Sequence, residues 1–114
     1  MRIVDNDNRI ELDELSKMAA DMFGDLVKAV VDVARDVMAV DAELHADEEA
    51  LLIECGSGQT DLWGINLYPG LEGNDFVEFD SMINLRPSRN RSRGVEDPAI
   101  RERIRQIVND LVIR

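Results

Sequence analysis

Cysteine occurs once, at Cys55, and histidine once, at His45. A lone thiol excludes an intrachain disulfide and fits a reducing compartment, so the cytoplasm is the expected location. A lone imidazole excludes a His-rich zinc site. Aromatic residues are three Phe, one Trp and one Tyr, too few for a platform that stacks nucleic-acid bases. No apolar run approaches the ~20 residues of a membrane-spanning helix. Met1–Ile10 is polar and acidic, with no apolar stretch of the signal-peptide kind. Internal repeats and low-complexity linkers are lacking too.

What remains is ordinary globular material, 45% hydrophobic and 32% charged. A chain of 114 residues fits one domain, residues 1–114. It can bury roughly two-thirds of its unfolded surface without a metal or a disulfide. The net charge of −11 is unevenly spread. Residues 1–85 hold 20 acids and 5 bases (−15), whereas residues 86–114 hold 8 bases and 4 acids (+4). The acidic body disfavours nonspecific nucleic-acid binding, leaving the local basic loop as the only candidate for it.

Arg2–Val4 reads as a short edge strand, followed by a polar turn at Asp5–Asn8. That turn is no EF-hand, because the sixth and twelfth positions hold Ile10 and Ser16 instead of Gly and Glu. Glu11–Phe23 is a helix, with Leu12, Leu15, Ala19, Met22 and Phe23 on one face and Gly24 as its stop. Leu26–Leu44 alternates with period two on both sides of Arg35-Asp36 and predicts a β-hairpin. A two-residue turn there would set Val31 opposite Val40 and Lys28 opposite Glu43.

Residues 47–54 fit a short helix, with Asp47 as cap and Gly56 after its end, although Leu51-Leu52-Ile53 also suits a strand. Leu62–Tyr68 and Phe76–Leu85 read as further strands, the second stopped by Pro87. Asp97 and Pro98 open a last helix with Ile100, Ile104, Ile107, Val108 and Leu111 in one stripe. The expected fold is α+β: an antiparallel sheet of about four strands in two hairpins, with the N- and C-terminal helices on one face and a short middle helix.

Several strings together resemble a family of small bacterial and archaeal proteins known only as a domain of unknown function. They are Phe23–Val33, Glu43–Asp47, Leu62–Pro69, Phe79–Pro87 and Asn90–Pro98. The resemblance covers most of the chain and implies no activity, cofactor or catalytic residue. One departure is the hairpin turn, where the family pattern leads one to expect glycine and this chain has Arg35-Asp36.

Two constellations carry chemistry. Arg86, Arg89, Arg91 and Arg93 fall within eight residues, interleaved with Ser88, Asn90 and Ser92. Arginine forks grip phosphate or carboxylate, so Arg86, Arg89, Asn90, Arg91 and Arg93 are candidates to bind an anionic ligand, nucleic acid or a protein partner. The bland alternative pairs these arginines with the acidic body, for example Asp80 or Glu78. Asp41, Glu43 and His45 would share one face of a strand. With Asp80 from a neighbour, Glu43 and His45 would bind a divalent cation, as in a metal-dependent phosphodiesterase; otherwise they form a solvated polar face. No other cofactor is expected.

Cys55 is expected as a small buried hydrophobe, and Trp63 and Tyr68 as sheet core and edge. The leading functional expectation is a non-enzymatic binding module acting through the arginine loop, with no membrane contact. The alternative is the small hydrolase. An exposed edge strand would also suit a homodimer.

Overall fold

The computed structural model describes residues 1–114. Strands β1 (Arg2–Val4), β3 (Val27–Asp32), β4 (Val37–Val40), β5 (Leu62–Leu67) and β6 (Val77–Glu78) form one antiparallel sheet in the order β1-β4-β3-β5-β6. A separate two-stranded parallel ribbon joins β2 (Ile10–Glu11) to β7 (Val112–Ile113). The α+β class is as expected, with five sheet strands in place of about four.

The helices are α1 (Leu12–Asp21), α2 (His45–Glu54) and α3 (Pro98–Leu111). One sheet face carries Ala29, Val31, Met38, Val40 and Ile65, packed against Leu15 of α1 and Ile104, Ile107 and Leu111 of α3. The other face carries Val30, Ala39 and Leu62 under Leu52 of α2. A sheet covered on both faces must be apolar on both, which is why β3 and β5 bury nearly every residue. Val30 is therefore core, although strict alternation placed it with the polar residues. The segment 47–54 is helical, but α2 begins two residues before Asp47, so Asp47 is not its cap.

The register of the β3–β4 hairpin differs from the expected one by two residues. Val31 faces Met38, and Ala29 faces Val40. The cause is Asp32, which is fully buried. Its carboxylate accepts from the Ala34 and Arg35 N–H groups (2.9 and 3.1 Å) and from the Ser57 hydroxyl (2.6 Å). That anchor lengthens the turn to Val33–Asp36, with Asp36 in the left-handed region at φ 56°. Arg103 of α3 pairs with the Asp36 carboxylate and ties the turn to the helix layer.

The return strand also stops early. Asp41 takes φ 71°, so β4 ends at Val40 and the chain turns into α2. Lys28 consequently lies opposite Asp41, whose N–H reaches the Lys28 carbonyl at 3.3 Å, and not opposite Glu43. Asp41, Glu43 and His45 thus do not share a strand face.

The expected strand Phe76–Leu85 is only Val77–Glu78. Beyond it the chain leaves the sheet edge and folds over β5 at Gly64. A Cβ on Gly64 would lie 2.5 Å from Cβ and Oγ of Ser81, so only glycine admits this crossing. The Asn84 amide then accepts from the Gly64 N–H (2.8 Å) and donates to its carbonyl (2.9 Å). One side chain takes the place of the neighbouring strand at that point.

Candidate functional site

Asn90 organises the arginine loop without being exposed by it. It is buried, and its amide donates to the carbonyls of Asn84, Ser92 and Gly94 while accepting from the Glu96 N–H. These bonds fold residues 84–96 into a closed turn, and the arginines leave it in different directions.

Arg86 lies over the Trp63 ring at 3.8 Å and donates to the carbonyls of Thr60 and Leu62. Its donors serve the chain itself. Arg86→Ala is expected to cost about 1–2 kcal/mol in urea unfolding, through the lost stacking and the stranded carbonyls. Arg89 and Arg91 are exposed and join no ion pair. Arg93 pairs with Asp80, Nε to Oδ1 at 2.6 Å, each side chain about half exposed.

Arg93, Asp80 and His45 meet at one cleft of about 550 Å³, between the start of α2, the end of β5, β6 and residues 80–83. Glu43 is exposed and lies outside its lining, as do Arg86, Arg89 and Arg91. No group of three His, Cys, Asp or Glu side chains is placed to hold a metal ion. Cys55 is exposed after the end of α2, not buried as expected. It is the C-cap residue on which α2 ends, and its carbonyl accepts from Arg35 (3.1 Å).

The cleft floor is polar. His45 is buried, and its Nε2 lies 2.7 Å from the Ile65 carbonyl, so Nε2 carries the proton and Nδ1 is left as an acceptor. Burial holds the imidazole below its usual pKa, with the Ile65 carbonyl opposing the shift, so the ring is neutral at pH 7. Asn66 is also buried. Its Nδ2 donates to Glu78 Oε1 at 2.8 Å, but its Oδ1 has no partner. Tyr68 donates to the same Glu78 oxygen at 2.9 Å, and burial with that carboxylate pushes the phenol up to about 12.

The rim is apolar and exposed. Met82 is 63% exposed, Leu44 56% and Phe23 41%. Lys28 stands over the Phe23 ring at 5.0 Å. The arrangement offers buried hydrogen-bond acceptors beneath exposed hydrocarbon. It suits a ligand that brings an N–H donor and an apolar group together.

Of the residues that line this cleft, the sequence singled out His45 and Asp80 as metal ligands, Arg93 as an anion contact and Glu78 only as an ion-pair alternative, and it did not single out Asn66 or the apolar rim. Asn66 carried a signal, as an amide inside the otherwise apolar run Leu62–Leu67. The rim carried none, because Phe23, Leu44 and Met82 come together only in the fold. All the residues lining the cleft except Glu78 fall in the strings that carry the family resemblance.

No helix is long and apolar enough to cross a membrane. No curated protein and no solved structure matches the chain. A family model described as "Protein of unknown function (DUF5674)" matches residues 3–111, and the chain belongs to that family.

Proposed function

We propose that the protein is a non-enzymatic binding module whose cleft takes a peptide segment of a protein partner. The observation that carries this reading is the buried, partnerless Oδ1 of Asn66 beneath the exposed Phe23, Leu44 and Met82. A peptide supplies both complements, an amide or guanidinium N–H for Asn66 and an apolar side chain for the rim. Leaving the Asn66 oxygen unpaired costs about 1–3 kcal/mol, which a bound donor would recover. Lys28 and Arg93 are balanced in the lining by Glu78 and Asp80, so the cleft selects by hydrogen bonding and apolar contact and not by net charge.

The test is selection from a displayed random-peptide library on the parent protein alone, followed by affinity measurement on the Asn66→Ala and Met82→Asp proteins. Met82 is mostly exposed, so that change leaves the fold intact. Enriched peptides are expected to pair an apolar residue with a nearby amide or guanidinium. They are expected to bind Asn66→Ala and Met82→Asp at least tenfold more weakly. Equal binding to the parent and Met82→Asp proteins would sink the reading.

The hydrolase on Glu43, His45 and Asp80 is the rival, and it has two of its three residues in this cleft. Stabilisation by Mg²⁺, Mn²⁺ or Zn²⁺ that disappears in His45→Ala would favour it instead. Nucleic acid would have to be held by Arg89 and Arg91. Two phosphate contacts give a salt slope of only about 2.

A further inference from the structure

A second cavity, of about 580 Å³, lies on the α3 side, between that helix and the loop Pro69–Asn74. Arg105 and Arg114 both line it. Neither forms an ion pair, although the chain carries 24 acidic residues, while Arg2, Arg93 and Arg103 each hold a carboxylate. Arg105 lies over the Phe79 ring at 4.9 Å and Arg114 over the Phe76 ring at 4.5 Å. Stacking holds a guanidinium by its face and leaves its N–H edge available. Arg105 Nε is buried without any hydrogen-bond partner, and Arg114 makes only a 3.4 Å contact to Asn109. Across the cavity Gly70 and Gly73 have no atom within 4 Å of where a Cβ would stand, so the loop backbone is open.

Two fixed, unneutralised guanidiniums facing an open backbone have one evident complement. We propose that this cavity is a ligand site for an oxyanion, a phosphate or a carboxylate, gripped by Arg105 and Arg114. It is separate from the peptide cleft and independent of that reading. The acidic body repels anions in general, so binding here requires these two side chains in particular. The one carboxylate lining the cavity, Glu72, is exposed and competes with the ligand.

Calorimetric titration with inorganic phosphate and with acetate, against chloride at equal ionic strength, tests the site. Phosphate or acetate is expected to bind where chloride does not, and to shift the Gly70 and Gly73 amide resonances. Phosphate tighter than acetate would mark a phosphoryl ligand, and the reverse a carboxylate ligand. Arg105→Gln and Arg114→Gln are each expected to weaken binding about tenfold, and Glu72→Gln to tighten it two- to threefold. Arg114 is exposed, so its variant is informative even if Arg105→Gln fails to fold. Affinity unchanged in Arg114→Gln, or no anion binding beyond that of chloride, overturns the proposal.

Discussion

Glu48→Gln is expected to raise the melting temperature by about 10 °C at pH 8 and to lower it by several degrees at pH 4.5, where the wild-type carboxyl is protonated in both states. Glu48 belongs to α2 and is fully buried on the side that faces the sheet. Its Oε2 accepts from the Ala42 N–H at 3.1 Å, and Oε1 has no partner. Burial pushes the carboxyl up from 4.5 to about 9, against the lowering effects of the Ala42 bond and Lys28. The folded protein therefore keeps the proton at neutral pH, whereas the unfolded chain releases it.

A folded-state pKa above the unfolded one gives stability that is complete below the unfolded value and drains away as pH rises towards the folded value. The window here runs from 4.5 to about 9. Each unit is worth about 1.4 kcal/mol, so the gross penalty at pH 8 is about 4–5 kcal/mol. Glutamine resembles the protonated acid and does not titrate. The net gain is smaller, about 2–3 kcal/mol, because the second amide hydrogen has no ready acceptor.

His45 acts in the opposite sense. Its depressed folded pKa removes stability as pH falls below the ordinary 6.5, so its effect is confined to the acid limb. Thermal melts of both proteins from pH 4.5 to 8.5 check this. A pH-independent difference, or a less stable variant at pH 8, would show that Glu48 is ionised in the fold.

Gly64→Ala is expected to destabilise by about 2–4 kcal/mol and to disturb the peptide cleft as well. The added Cβ would overlap Cβ and Oγ of Ser81, of which the Cβ is fixed by the backbone whatever the rotamer, and would crowd Ile83 at 3.1 Å. Residues 80–83 form one wall of the cleft, so lifting them from the sheet moves Asp80 and Met82. It also pulls the buried Asn84 off the Gly64 N–H and carbonyl, two edge groups with no other strand to pair them.

Ser81→Gly removes the atoms that collide. Its own cost is modest, through lost rigidity and the lost bond from the Ile83 N–H to Ser81 Oγ at 3.2 Å. In the Gly64→Ala/Ser81→Gly double mutant, at least half of the Gly64→Ala penalty is expected to return. Urea unfolding of the four proteins gives the coupling energy directly. Strict additivity would mean that the crossing at Gly64 is not what shapes this wall.

Much of the architecture follows from short-range chemistry and is legible in order along the chain. Asp97 accepts from the Ala99 N–H at 2.8 Å, with Pro98 at the first helical position, as the dipeptide implies. The period-two runs are strands and the period-3.6 stripes are helix faces, because each pattern registers which side of one element faces the core. The antiparallel sheet with α1 and α3 on one face was within reach on that basis.

What escaped were interactions between residues far apart in sequence. Asp32 resets the hairpin by reaching Ser57, twenty-five positions on. Gly64 and Asn84 end the last strand early through contacts twenty positions apart. Both replace ladder hydrogen bonds with a side chain, and no local pattern encodes that exchange.

The candidate sites divide the same way. Composition and spacing by themselves determined that arginine, a histidine and carboxylates were available in an acidic α+β chain with no disulfide. The fold decided which of them meet: His45, Asp80 and Arg93 share a cleft, Arg86 braces Trp63, and Arg105 and Arg114 stand unpaired in a cavity of their own. The physical reason is that a side chain's chemistry belongs to the residue, but its hydrogen-bond partners, its solvation and its charged neighbours are set by segments packed against it from elsewhere in the chain.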